Sequence, residues 1–132
     1  MFLSMKQPPQ KPTASELEIL HVLWTLGPST VREVHDSLSE KKELGYTTVL
    51  KLLQIMTTKG TVRRNETQRA HVYEACLPAE QTKRQLAGDM LLRVFEGSAS
   101  QLMMHALAGR KSSPEEVTEL RRLLDEYERG RK

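Results

Sequence analysis

The sequence has very little cysteine, few aromatic residues and no long apolar run. Cys76 is the only cysteine in 132 residues, which excludes an intrachain disulfide and a zinc site built from several thiolates. No apolar stretch approaches the roughly 20 residues needed to span a bilayer, and residues 1–12 lack the apolar core of a signal peptide. We therefore expect a cytoplasmic protein without direct membrane association, in which Cys76 is a small buried thiol.

Signatures of catalysis and of metal binding are also missing. The sequence contains no GxSxG, Walker or HExxH motif, so it offers no nucleophile, phosphate loop or catalytic zinc site. The four histidines are dispersed, without HxxxH or Cys/His spacing: His21, His35, His71 and His105. We expect a protein that is not an enzyme and that needs no catalytic residue, metal or cofactor.

Positive charge is concentrated in one part of the chain. The whole sequence carries a formal net charge of +3, whereas Gly45 to Val72 contains five basic residues and one acidic residue, Glu66, a local excess of +4. Such a patch favours a polyanionic partner, although on charge alone a solvated face is an equal alternative. The basic residues are Lys51, Lys59, Arg63, Arg64 and Arg69.

Capping signals and apolar spacing predict three helices after a flexible arm at residues 1–12. Thr13 with Glu16, and Thr30 with Glu33, match the capping-box pattern that begins a helix. Gly27-Pro28 ends the first helix, and Gly60 ends a third that begins at Tyr46. The predicted apolar stripes are Leu17, Leu20, Leu23 and Trp24; Val31, Val34 and Leu38; and Val49, Leu53 and Met56 with Leu52 beside them.

Two short extended runs, residues 61–64 and 70–75, follow the third helix and predict a β-hairpin. Three helices followed by a basic hairpin are the outline of a winged helix-turn-helix. We therefore predict a mainly α fold with a small β-hairpin, in which a winged-helix DNA-binding head at residues 13–76 precedes a helical dimerisation region at 77–132.

The polar side of the third helix is suited to the major groove of double-stranded DNA. An α-helix with its side chains is about 10–12 Å in diameter, so it fills the groove and its exposed side chains meet base edges. The hairpin arginines can neutralise phosphates of the adjacent backbone, and the start of the second helix can hold another phosphate. The candidate DNA-binding residues are Thr30, Arg32, Tyr46, Thr47, Thr48, Lys51, Arg63, Arg64 and Arg69.

After Leu77-Pro78 the sequence predicts three further helices. The first carries Leu86, Met90 and Val94 and ends at Gly97, and the other two begin at Ser98 and at Ser113. Their apolar stripes are too short to enclose a core of their own, so we expect them to pack on the same region of a second copy. The candidate dimerisation residues are Leu86, Met90, Val94, Leu102, Met103, Leu107, Val117, Leu120 and Leu124.

Three stretches of the sequence resemble one family of bacterial transcription regulators. SELEILHVLW from Ser15, GYTTVLKLLQIMTTKG from Gly45 and FEGSASQLMMHAL from Phe95 resemble the first helix, recognition helix and dimerisation region of the penicillinase-repressor family (BlaI/MecI/CopY type). The resemblance implies a homodimeric repressor on a palindromic operator. It also implies a membrane-bound sensor protease system that leads to cleavage in the dimerisation region.

The sequence departs from the family pattern at three places. Ile55 stands where the family commonly has arginine, and His105-Ala106 stands where the β-lactam-responsive members have the Asn-Phe pair that is cut. The copper-responsive branch has a cysteine-rich tail, and this sequence has cysteine only at Cys76. Any cleavage position here would therefore be His105-Ala106, and we expect no copper sensing.

Two other functions are compatible with a winged-helix outline. A ligand- or metal-gated sensor would need a pocket or a cluster of ligands, and the sequence indicates neither. A protein-interaction module would not need the basic excess between Gly45 and Val72. The residues therefore favour a DNA-binding repressor.

Overall fold

The computed structural model describes residues 11–130, which divide into two compact units between Arg84 and Gln85. The first unit begins with α1 (Ala14–Leu26), β1 (Ser29–Thr30), α2 (Val31–Ser39), α3 (Tyr46–Lys59), β2 (Val62–Asn65) and β3 (Val72–Ala75). Then follow α4 (Ala79–Arg93), α5 (Ala99–Ala108) and α6 (Pro114–Gly130). The predicted mainly helical fold with a small sheet is confirmed. Apart from residues 11 and 12, the predicted N-terminal arm lies outside the described residues.

Both predicted capping boxes of the first unit are confirmed. Thr13 Oγ1 accepts the Glu16 N–H at 3.2 Å, and a Glu16 carboxylate oxygen accepts the Thr13 N–H at 3.2 Å. At α2, Thr30 Oγ1 accepts the Glu33 N–H at 3.2 Å, and Glu33 Oε1 accepts the Thr30 N–H at 2.8 Å. Each pair satisfies two backbone donors that the first turn of a helix leaves open, so local sequence sets where α1 and α2 begin.

Gly60 ends α3 in the left-handed conformation, as the sequence predicts, with φ +88°. Its N–H donates to Met56 O at 3.0 Å, and the N–H of Thr61 donates to the same carbonyl at 3.0 Å. Thr61 is buried and its hydroxyl also donates to Met56 O. Thr61 therefore completes the end of α3, and β2 begins one residue later than the sequence predicts.

The sheet has three strands, where the sequence predicts a two-stranded hairpin. β3 lies in the centre of the sheet, antiparallel to β1 on one side and to β2 on the other. Tyr73 of β3 is paired with Ser29 of β1 and with Arg64 of β2. β1 has only two residues, which is too short for an alternating pattern to reveal it. It lies between α1 and α2, where Ser29 is buried and pairs with Tyr73 of β3.

The core of the first unit lies between α1, α2, α3 and the sheet. α1 contacts three neighbours, α2, α3 and β3, so its apolar face is broader than the predicted stripe and includes Ile19 and Val22. Leu17 and Trp24, predicted inside, are only half-buried. The buried apolar residues are Ile19, Leu20, Val22, Leu23, Val31, Val34, Leu38, Val49, Leu53, Met56, Val62 and Tyr73.

The prediction that Cys76 is buried is wrong: this thiol is exposed. Side chains alternate between the two faces of a strand, and Tyr73 and Ala75 face the core. By the same alternation, the side chain of Cys76, directly after β3, falls on the opposite face. Its backbone N–H donates to Thr61 O at 2.9 Å, which connects the end of β3 to the turn after α3, while the thiol is exposed.

In the second unit the starts of α5 and α6 agree with the sequence, whereas the predicted end of the fourth helix at Gly97 is wrong, because α4 ends at Arg93. Ser98 Oγ accepts the Gln101 N–H at 3.2 Å at the start of α5, and Ser113 Oγ accepts the Glu116 N–H at 3.0 Å at the start of α6. Neither α5 nor α6 contains a buried residue. Within residues 11–130, no helix combines the length and the apolar character that crossing a membrane requires.

Candidate nucleic-acid interface

α3 is amphipathic, with its apolar side in the core and a polar side exposed. Val49, Leu53 and Met56 are buried, whereas the predicted DNA-binding residues on the helix are exposed. α3 contains no acidic residue, so nothing on its surface repels a polyanion. The exposed predicted residues are Tyr46, Thr47, Thr48 and Lys51.

A buried ion pair fastens the end of α3 to the start of α1. Lys59 Nζ lies 3.1 and 3.0 Å from the two carboxylate oxygens of Glu16, which is only 2% exposed. The same carboxylate accepts the Thr13 N–H, so one acidic side chain caps α1 and holds α3. Lys59 belongs to the basic stretch of the sequence, but its charge is used inside the protein and is not available to a phosphate.

Tyr46 connects the first turn of α3 to α2. Its ring lies 5.8 Å from the Arg32 guanidinium carbon and 6.0 Å from the His35 ring, in an edge-on arrangement with His35. His35 in turn donates from Nε2 to Leu44 O at 2.8 Å, in the connection between the two helices. The structure therefore brings Arg32 and Tyr46 together, with both side chains still exposed.

Thr30 is the N-cap of α2, and most of its polar groups are already used. Its N–H is taken by Glu33, and its hydroxyl oxygen accepts the Glu33 N–H. The hydroxyl hydrogen remains to donate. A phosphate at this helix start would meet that hydroxyl, the exposed guanidinium of Arg32 and the first backbone N–H groups of α2.

The hairpin holds three exposed arginines in different environments. Arg63 pairs with Glu74 across the strands at 3.1 Å, and Arg64 pairs with Glu66 at 2.6 Å. Hydrogen bonds to Tyr73 and to Glu66 hold the pKa of the Arg64 guanidinium above its ordinary value. Arg69 lies in the connection between β2 and β3 and is exposed.

These pairs divide the basic stretch into engaged and available charges. Glu16 neutralises Lys59, and the hairpin carboxylates engage Arg63 and Arg64. Within residues 11–130, Lys51 and Arg69 form no ion pair. Lys51 and Arg69 therefore offer a polyanion an unpaired positive charge, whereas the charges of Arg63 and Arg64 are shared with carboxylates at the surface.

Three exposed residues of α3, Gln54, Ile55 and Thr58, are absent from the candidate DNA-binding residues predicted from the sequence. Gln54 and Ile55 lie one turn beyond Lys51, on the polar side of the helix. Extending the period of α3 by one more turn after Lys51 would have found both positions.

The candidate dimerisation residues lie on α4, α5 and α6, or directly after α4 in the case of Val94. Leu86, Leu102, Val117 and Leu120 are half-buried, and the others are exposed. Four further large apolar side chains on these helices are also exposed: Leu92, Met104, Leu123 and Tyr127.

His105 and Ala106, the candidate cleavage position, lie in the second half of α5 and are exposed. The His105 ring is 5.6 Å from that of Phe95. Because the peptide bond between His105 and Ala106 lies within α5, a protease that binds an extended chain would first have to unwind this part of the helix.

A groove of about 350 Å³ lies in the first unit beside the end of α1, lined by residues that include Trp24, Pro28, Glu74 and Cys76. Its polar groups have partners, since Trp24 Nε1–H donates to Leu77 O at 2.8 Å and Glu74 binds Arg63. The part of the chain that the structure describes has no cluster of three or more His, Cys, Asp or Glu suited to a metal ion. Neither feature supports a gated sensor.

Comparisons with known proteins place this chain among bacterial transcriptional repressors. The family model described as penicillinase repressor matches residues 12–126. The transcriptional regulator BlaI of Mycobacterium tuberculosis is 32% identical over 117 residues, which cover 87% of this chain and 83% of that protein. The penicillinase repressor of Bacillus licheniformis is 26% identical over 128 residues, or 97% of this chain and 99% of that protein.

Among solved structures, a MarR family protein from Bacillus stearothermophilus matches with a TM-score of 0.51 and 19% identity, over 92% of this chain and 76% of that one. This likeness concerns the fold alone. The family match and the two relatives carry the assignment, because they extend over the head and the helices that follow. The chain belongs to the penicillinase repressor family, whose members are DNA-binding transcriptional repressors and not enzymes.

Proposed function

We propose that this chain acts in the cytoplasm as a homodimer that represses transcription by binding a palindromic operator. Each head, residues 13–76, places α3 in a major groove and the hairpin along the neighbouring phosphates. The observation that carries the proposal is the exposed side of α3. It has no acidic residue, and its side chains Thr47, Thr48 and Lys51 are small or cationic. The arginine-bearing strand β2 begins after only two intervening residues.

In the proposed complex, different side chains contact the base edges and the phosphates. Thr47, Thr48 and Lys51 face the bases, where hydroxyls and an ammonium group can bind acceptors of the major groove. Arg69 and the hairpin arginines bind phosphates, together with Arg32 and Thr30 at the start of α2. Tyr46 supports both sets, because it stacks against Arg32 while it begins α3.

Residues 77–132 join two heads in the proposed dimer. The support is the absence of buried residues in α5 and α6 together with the exposed apolar side chains on α4, α5 and α6. Two heads reading half-sites on one face of a duplex would lie about 34 Å apart, or a small multiple of that distance. Loss of the dimer would release the operator, since each head alone makes half of the contacts.

Inactivation would act on the same helical region. A cut at His105-Ala106 would divide α5 and separate α6 from the head, which would remove part of the apolar surface that a partner covers. A membrane-bound sensor protease system could supply such a signal. The exposure of both residues supports access to this bond once α5 unwinds locally.

The test is the salt dependence of binding to a duplex selected from a random pool. A dimer that makes roughly eight phosphate contacts should show a slope of log affinity against log salt of about −7. Arg69→Ala should reduce the magnitude of that slope by about one unit per head. The control Lys83→Ala, on α4 outside both proposed contact elements, should leave the slope unchanged.

Negligible affinity for every duplex would contradict the proposal and favour a protein-interaction module. Binding without an effect of Arg69→Ala would retain DNA binding and remove the hairpin connection from the phosphate contacts.

A further inference from the structure

An apolar side chain lies in the polar side of α3. Ile55 is 38% exposed, and it belongs neither to the core nor to the half-buried residues packed against the core. It follows Lys51 by four residues and Thr48 by seven, which places the three side chains on the same side of the helix. Packing within this chain therefore does not account for an isoleucine at this position.

Helix stability does not account for Ile55 either. Isoleucine favours a helix less than alanine, leucine or lysine does, because its branched Cβ is crowded by the preceding turn. The same branching leaves one dominant side-chain rotamer in a helix. Ile55 therefore presents its methyl groups to any partner in a nearly constant position and loses little freedom when it is covered.

The major groove offers one apolar group that such a side chain can cover, the C5-methyl of thymine. Against the other base edges, an aliphatic group would remove water from donors and acceptors without replacing its hydrogen bonds. Building on the proposed placement of α3 in the groove, we propose that Ile55 is a specificity-determining residue that contacts the C5-methyl group of one thymine in each half-site.

The position of Ile55 also locates that thymine relative to the base near Lys51. Four residues of helix correspond to about 6 Å, and successive base pairs are about 3.4 Å apart. The thymine should therefore lie about two base pairs from the Lys51 contact. This spacing distinguishes a contact by Ile55 from one by the Thr48 methyl group, which lies in the preceding turns.

The experiment compares thymine with uracil, which lacks the methyl group but pairs identically. In a duplex selected by the wild-type protein, each thymine of one half-site is replaced singly by uracil. Covering one methyl group corresponds to about 0.8 kcal/mol, or a fourfold change in affinity. The wild-type protein should lose about fourfold in affinity when one particular thymine is replaced by uracil. Ile55→Ala should bind that uracil duplex and the original thymine duplex equally.

Two further variants separate a base contact from a general effect on the head. Ile55→Val keeps a branched Cβ and should retain part of the sensitivity to uracil. Leu26→Ala, at an exposed apolar residue at the end of α1, should retain all of it. Because a methyl contact releases no counterions, the fourfold ratio should be the same at low and at high salt.

Equal binding of every uracil duplex by the wild-type protein would overturn the inference, as would full sensitivity in Ile55→Ala. Either result, together with steep salt dependence, would leave the proposed function standing. Absence of duplex binding by the wild-type protein would instead refute the proposed function and the inference with it.

Discussion

The two units of this chain differ in what covers their apolar side chains. Residues 11–84 enclose the complete buried core, from Ile19 to Tyr73, between three helices and a small sheet. Residues 85–130 have no buried residue at all. In this second unit large apolar side chains stay at the surface, among them Met104 at 62% and Leu124 at 69% exposed.

The difference shows that an apolar stripe identifies a surface to be covered but not what covers it. Val34 and Leu38 on α2 recur at helical spacing and are buried by α1 and α3. Leu120 and Leu124 on α6 recur at the same spacing, and Leu124 remains exposed. The same pattern thus has two outcomes, and the second fits helices whose partner is another chain.

The largest expected effect comes from separating the two units. A chain truncated after Arg84 keeps the whole core, the bond from Trp24 to Leu77 O and the buried Thr82, so we expect it to stay folded. It should be monomeric and should bind the selected duplex about 10²- to 10⁴-fold more weakly, because linking two binding modules raises the affinity by that order.

Light scattering and duplex titration of the truncated chain measure these two expectations. The full-length chain is the control. A dimer formed by the truncated chain would place the self-association in the head and would remove the proposed role of α5 and α6.

A smaller effect concerns the ion pair that holds α3. Lys59→Met leaves the buried Glu16 carboxylate without its cation, and we expect a loss of roughly 2–4 kcal/mol in the free energy of unfolding. The matched control is Lys42→Met, since Lys42 pairs with Glu18 at 3.0 Å but both side chains are close to half exposed. Its loss should stay below about 1 kcal/mol.

Denaturant unfolding of both variants measures the difference. Adding Glu16→Gln to Lys59→Met should recover part of the stability, because the uncompensated charge is then removed. Equal losses in Lys59→Met and Lys42→Met would show that burial of Glu16 does not strengthen this pair.

The smallest effect lies in the second unit, where the ion pairs of α6 are exposed. Hydrogen bonding to Arg122, followed by the nearby positive charge, lowers the pKa of Glu119 from its ordinary value. Because this pKa is lower in the folded state, the ion pair stabilises α6 at pH values above the unfolded pKa of about 4.3. The stabilisation is lost as the pH falls through the folded pKa.

An NMR titration of the Glu119 carboxyl should therefore give a midpoint below that of a free glutamate. In Arg122→Met the midpoint should rise toward the ordinary value. An unchanged midpoint would mean that the ion pair does not persist in solution.

Much of the first unit could be predicted because its signals are local. The capping boxes at Thr13 and Thr30 and the left-handed end of α3 at Gly60 each depend on residues within one turn, and all are confirmed. The exposed side of α3 follows from the spacing of its buried residues. The candidate DNA contacts on that side, such as Lys51, remain predictions.

The sequence could not show which charges are free, because that depends on residues far apart in the chain. Glu16 meets Lys59 across 43 residues, and Arg63 meets Glu74 across 11. A count of charges between Gly45 and Val72 therefore describes the composition of the basic stretch but overstates the charge that a phosphate can reach.

The sequence by itself determined where α1, α2, α5 and α6 begin, where α3 ends, and which sides of α2 and α3 are apolar, since caps and periodicity act within a few residues. Tertiary structure alone decided that β1 joins the sheet, that Cys76 is exposed and that Lys59 forms an ion pair with the buried Glu16 carboxylate. It also decided that Ile55 lies uncovered beside Lys51. These outcomes depend on which distant surfaces meet, and the interaction of any one residue with its neighbours along the chain does not specify that.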